Sequence, residues 1–136
     1  MAANHTPSTA SPALPEPQPL ALLRYSLVAV WLWTAVVSVA ELHGQSRQLL
    51  EAASVVPAHW FSPLVWAGAA LDAVLGLMLW AYPRRAVIAL MATSVLLMTA
   101  VATWLLPDLW WHPLGPLSKN LPLLAALYLL WKEARA

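Results

Sequence analysis

Residues Ala86–Leu106 read AVIALMATSVLLMTAVATWLL, a run without a single charge. A helix rises about 1.5 Å per residue, so this run measures about 30 Å, the thickness of a bilayer's hydrocarbon core. Nothing in it alternates with period two, as the strand of a membrane barrel must. It predicts a transmembrane helix, and the chain on either side repeats the signal. Leu20–Ala40 is apolar but for Arg24, and Pro63–Tyr82 carries one charge, Asp72. A fourth run has the uncharged core Leu121–Trp131, extendable to about Leu117–Ala134 when Lys119 and Lys132 snorkel to the two interfaces.

Composition agrees with this reading. Of 136 residues, 61% are hydrophobic and 10% charged, with a mean hydropathy of +0.67. A soluble domain carries about 25% charged residues, so lipid must cover most of this surface. A net charge of +1 offers no field for nucleic acid. The chain has no cysteine, which removes disulfides, thiol chemistry and Cys-ligated metal, so a redox role needs a bound cofactor. The expected architecture is all-α, a four-transmembrane-helix bundle with helices at about 20–40, 63–82, 86–106 and 117–134. Together these form a membrane domain over 20–136. Residues 1–19 hold five of the twelve prolines and no periodic apolar face, and read as a disordered, Pro-rich cytoplasmic tail.

A competing reading of the first run is a cleaved leader, because Ser38-Val39-Ala40 resembles a small-residue processing site. The apolar stretch is longer than the 7–15 residues of a signal peptide and its flank is proline-rich, so a retained helix is the reading adopted. Orientation follows from the basic residues. Arg24, Arg84, Arg85, Lys132 and Arg135 fall on one side, Arg47 and Lys119 on the other, which predicts both termini cytoplasmic in a cell inner membrane. Trp60, Trp66, Trp104, Trp110 and Trp111 then line the outer interface, with Trp80 and Trp131 at the inner one. Trp31 and Trp33 fit neither belt and are expected to pack between helices.

Asp72 lies ten residues past Ser62, about 15 Å into the membrane, where an unpaired carboxylate costs several kcal/mol. Gly68 and Gly76 flank it at four-residue spacing, a helix-packing groove on its face. Two readings stand side by side: a carboxylate tied to hydroxyls such as Thr93, Ser94 or Thr99, or one that faces a ligand or exchanges a proton. Trp31, Thr34, Ser38 and Glu41 form a polar stripe on the first helix. Glu41 ends it, either solvated among headgroups or paired with Lys119 across the mouth of the bundle. His5, His43, His59 and His112 show no metal-ligand spacing, and no metal is expected. No glycine-rich nucleotide loop, Ser-His-Asp order or cysteine nucleophile is present, so no self-contained catalytic site is expected.

The segment Trp110–Pro122, WWHPLGPLSKNLP, breaks the apolar pattern. Irregular backbone is not tolerated against lipid, so this stretch belongs at an interface or against a protein-lined cavity. Pro113 and Pro116 bracket Leu114-Gly115 and forbid a helix, while Asn120 is placed to cap the last helix with Pro122 in its first turn. Lys119 puts a cation at a helix N-terminus, where the dipole favours anions. A carboxylate or anionic ligand would compensate it, or it reaches lipid phosphates.

His112–Pro122 resembles the HPFGPL-x-KN-x-P signature of the DoxX-like family of small four-helix membrane proteins, with Leu114 where phenylalanine is usual. Leu71–Gly76 is similar to that family's LD-x-x-x-G pattern, and Arg24-Tyr25 with Val30–Thr34 to its first helix. The resemblance covers about Leu22 to Trp131. It implies a likeness to the membrane subunit of thiosulfate:quinone oxidoreductase and quinol oxidase assemblies, and Asp72, Lys119 and Asn120 as the polar core. Three functions follow as expectations. The first is a small subunit or partner of a quinone-linked redox system, with quinone as the possible cofactor. The second is a structural or assembly subunit, in a membrane complex or homo-oligomer. The third is a small transporter, with Asp72 as its coupling carboxylate.

Overall fold

Each apolar run becomes a helix, and prolines punctuate the ends. The computed structural model describes residues 17–41, 44, 51, 57–111, 115 and 117–134. Its helices are α1, Gln18–Ala40; α2, Phe61–Ala81; α3, Arg85–Leu105; and α4, Asn120–Glu133. Single 3-10 turns, Ala58–Trp60 and Pro107–Trp110, lead into α2 and out of α3. Pro63 and Pro122 each sit in a first turn, where a missing N–H leaves no hydrogen bond unmade. Pro107 stops α3, since the residue before a proline is driven out of the helical region. Within the helices, hydroxyls hide by bonding one turn back: Thr34 to the Val30 carbonyl (2.8 Å), Thr93 to Ala89 (2.8 Å) and Thr103 to Thr99 (2.6 Å).

The fourth element departs from expectation. Helices α1, α2 and α3 are long and apolar enough to cross a membrane, with hydropathies of 1.8, 1.8 and 2.1. Helix α4 has 14 residues and reaches about 21 Å, short of the roughly 30 Å core. Leu117–Lys119 form a turn rather than its first residues. The described residues therefore contain four helices and three candidate spans.

Packing follows two pairs. Helix α1 lies along α2 and α3 along α4, while the seams α1–α4 and α2–α3 are thin. The thin α2–α3 seam is notable because only Tyr82–Arg84 connects the two helices. The buried cluster Leu27, Trp31, Leu75, Leu79, Ile88, Met91, Leu127 and Leu130 sits toward the end of the bundle that holds this connection. Arg85 staples that end: its Nε donates to the Ala134 carbonyl at 2.8 Å, and its guanidinium lies over the Trp131 ring, 5.2 Å from the centroid. The cation thereby satisfies an orphan carbonyl at the α4 C-terminus, where the dipole welcomes it.

The outward faces are apolar. Trp66, Trp80, Trp104, Leu96 and Val36 are all exposed, as lipid-covered surfaces require. Trp31 packs between helices at 5% exposure, as expected, but Trp33 is 69% exposed and faces outward. Two positions after Trp31, it falls on the opposite side of α1. The proline-rich segment over residues 1–16 lies outside the described residues.

Candidate functional site

Above the packed core the helices leave room. A cavity of about 220 Å³ is walled by all four of them: Trp31 and Thr34 from α1, Asp72 from α2, Ser94 and Met98 from α3, Asn120 and Leu123 from α4. Asp72 and Ser94 each stand within one residue of their helix midpoint. The polar wall is thus near the middle of the membrane-spanning segments. A second cleft, of about 200 Å³, opens between α1, α2 and α3 and shares Asp72, Ser94 and Met98 with the first.

Asn120 is placed by a bond the sequence did not suggest. It does not cap α4; the cap position belongs to Lys119, which makes no side-chain cap. Instead its Nδ2 donates to Thr99 Oγ1 at 2.7 Å, while that hydroxyl donates to the Val95 carbonyl at 2.7 Å. The bond pins the start of α4 six residues short of Leu105, about 9 Å below the end of α3. Beyond α3, the Pro107–Trp110 turn lies back against the last turns of that helix, where Trp110 Nε1 donates to Thr103 Oγ1 at 3.0 Å. Gly115 adopts φ +52, the left-handed conformation in which a side chain is strained. Its carbonyl accepts from the Lys119 N–H (3.1 Å) and from the Ser118 hydroxyl (3.1 Å), turning the chain into α4.

The expected polar core is therefore split. Asp72 and Asn120 face one cavity. Lys119 is exposed and lines neither space. Glu41 folds its carboxylate over Gly44, and among the described residues it forms no ion pair with Lys119. Two of the three hydroxyls proposed as ties for Asp72 are otherwise engaged: Thr93 bonds the Ala89 carbonyl and Thr99 serves Asn120. Among the described residues the Asp72 carboxylate accepts no hydrogen bond, and the Ser94 hydroxyl beside it is equally unpartnered.

The two glycines differ. A Cβ on Gly76 would meet Leu32 and Trp31 at 3.1–3.2 Å, so α1 packs directly on that backbone. At Gly68 nothing lies within 4 Å, and the position opens the second cleft instead of seating a helix. Sequence reasoning placed Trp31, Thr34 and Ser38 on one face of α1, and the structure turns all three toward the two spaces. It did not single out Met98 or Leu123, which nothing in their apolar context distinguishes from lipid-facing neighbours. His59 stands beside Trp60, with ring centroids 5.7 Å apart. His5, His43 and His112 lie outside the described residues, as do Pro113, Leu114 and Pro116.

Comparison with known proteins adds one finding. No curated protein and no solved structure matches the chain. The family model of the DoxX-like family does match, over residues 28–128, an interval that takes in Trp31, Asp72, Ser94 and Asn120. This multi-pass helical membrane protein, with its cavity between four helices, belongs to the DoxX-like family.

Proposed function

We propose that this protein is a small integral-membrane component of a quinone-linked redox system, acting beside a catalytic partner, with the central cavity receiving the quinone ring. The observation that carries the reading is the pair of unpartnered polar groups, Asp72 and Ser94, in a cavity shared by all four helices. Leaving such groups unpaired at this depth costs stability, and a ligand that pairs with them repays it. The volume fits as well. A 150 Å³ apolar cavity takes up benzene, so about 220 Å³ accommodates one substituted ring.

The residues also fit the group chemically. A quinone presents two carbonyl oxygens on opposite sides of a flat, apolar ring. The second N–H of Asn120 and the Ser94 hydroxyl are donors for such oxygens. Trp31 supplies an aromatic wall, and Asp72 is placed to hold or pass a proton at the ring's edge. When bound, the quinone supplies two-electron chemistry that no side chain of this cysteine-free protein offers.

Function is tested by purifying the protein from its membranes and extracting bound lipid. Quinone in the wild-type extract, lost in Asp72→Asn and in Asn120→Ala with the fold retained, supports the reading. A stable protein partner and no small ligand would replace it with the structural-subunit reading.

The same proposal includes a topology. Helix α4, which starts at the depth of Thr99, crosses the remaining depth, so that both termini lie in the cytoplasm and the protein sits in the inner membrane. Five basic residues, Arg24, Arg84, Arg85, Lys132 and Arg135, then face inward against two outward. A reporter fused after Ala136 is expected to be active only on the cytoplasmic side, and activity on the opposite side would overturn the arrangement.

A further inference from the structure

From the way the two cavities share a wall, we infer that the second cleft is a lateral portal, in which the apolar tail of the ligand leaves the bundle between α2 and α3. The inference rests on the quinone reading of the central cavity. It commits to one occupant: the hydrocarbon tail of a lipid-soluble ring compound whose head lies against Asp72, Ser94 and Asn120.

Three observations carry it. First, the two spaces adjoin, because Asp72, Ser94 and Met98 line both. A molecule whose polar head pairs with Asp72 and Ser94 has its next atoms at the threshold of the second cleft. Second, that cleft is apolar beyond the threshold. Val65, Gly68, Ala69 and Leu71 line its α2 side, and Ser38 is its other polar member. Residues 65, 68 or 69, and 72 follow the three-to-four spacing of one helix face, so the lining runs from Asp72 toward the start of α2. Third, the backbone makes room there. A Cβ at Gly68 would touch nothing within 4 Å, in contrast to Gly76, which α1 covers closely. Helices α2 and α3 touch little although Tyr82–Arg84 joins them directly, so helix packing does not close the seam between them.

The chemistry of the occupant follows from this shape. A head without a tail fills only the central cavity and gains nothing from the cleft. A tailed ring gains the burial of its first carbons, each methylene contributing its own transfer term. The cleft therefore confers preference for tailed over tailless rings, and filling it erases that preference alone.

The experiment compares two probes, decylubiquinone and the tailless duroquinone, on protein in lipid nanodiscs, with quenching of tryptophan fluorescence as the readout. The variants are Gly68→Leu and, farther along the cleft, Val65→Phe. Gly68 gives onto open space and Val65 lines the cleft, and circular dichroism and thermal unfolding verify that each variant is folded. The portal predicts that both variants weaken decylubiquinone about tenfold or more, as expected when about two methylenes lose their burial. Duroquinone binding stays within about twofold. Unchanged binding of both probes in folded variants overturns the portal and leaves the quinone reading intact. Equal loss of both probes also overturns it, since the cleft would then not be specific to the tail. Failure of wild-type protein to bind either probe overturns the quinone reading itself, and the portal with it.

Discussion

Asp72→Leu is expected to yield a protein that is more stable than the wild type and that no longer binds quinone. An aspartate at the centre of a membrane helix is about 3 kcal/mol less favourable than an apolar residue on insertion scales. Here the cost is partly relieved, because the carboxylate opens onto two clefts instead of lipid. A gain of about 1–3 kcal/mol is the expected outcome, read as a shift in unfolding in mixed detergent. Loss of binding is read in the same preparations by titration with duroquinone. The pairing of a stability gain with a functional loss is the signature of a site held at the expense of the fold. An aspartate that ties helices together behaves in the opposite way, so destabilisation in Asp72→Leu would sink the ligand-facing assignment.

The second large effect belongs to Gly76. Leucine there brings four carbons into a space where the first already meets Leu32 Cδ2 at 3.1 Å and Trp31 Cβ at 3.2 Å. Lipid tails are as apolar as the helix surfaces, so tight van der Waals fit is what holds α1 to α2. Gly76→Leu is expected to cost about 3 kcal/mol, the upper range of overpacking, as the two helices are forced apart. Because Trp31 also walls the central cavity, duroquinone affinity should fall along with the unfolding midpoint. Gly68→Ala is the counterpart: it adds a helix-favouring methyl to open space and should gain about 0.5–1 kcal/mol. Equal costs at the two glycines would contradict the packing described.

Much of this arrangement is legible in the chain, for identifiable reasons. Length and hydropathy locate Gln18–Ala40, Phe61–Ala81 and Arg85–Leu105 within two residues, since few charges compete with the signal. The position of Asp72 at mid-membrane follows from counting alone. What the sequence conceals is direction. Asn120 has the identity and position of a helix cap, yet its amide turns across the bundle to Thr99 because a hydroxyl stands within reach there. Lys119 and Asn120 are adjacent in sequence but diverge, one to the surface and one to the cavity, as neighbours on a helix must. Gly68 and Gly76 are indistinguishable by spacing, and only the position of α1 decides which is covered. Helix α4 falls short of a full span because it begins at Asn120, whose amide is held on Thr99 well short of the end of α3.

The two-pair packing has a consequence for how the molecule comes together. Helices α1 and α2 form one local unit and α3 and α4 another, and the central cavity exists only where the two meet. Asp72 belongs to the first unit; Ser94 and Asn120 belong to the second. A ring bound among these three side chains is a strut between two half-molecules whose direct seams are thin. At a hundred times its dissociation constant such a ligand adds about 2.7 kcal/mol to the assembled state. Without a ligand the halves are joined by the core cluster toward the Tyr82–Arg84 end, and a bound ring would add a second brace farther along the bundle.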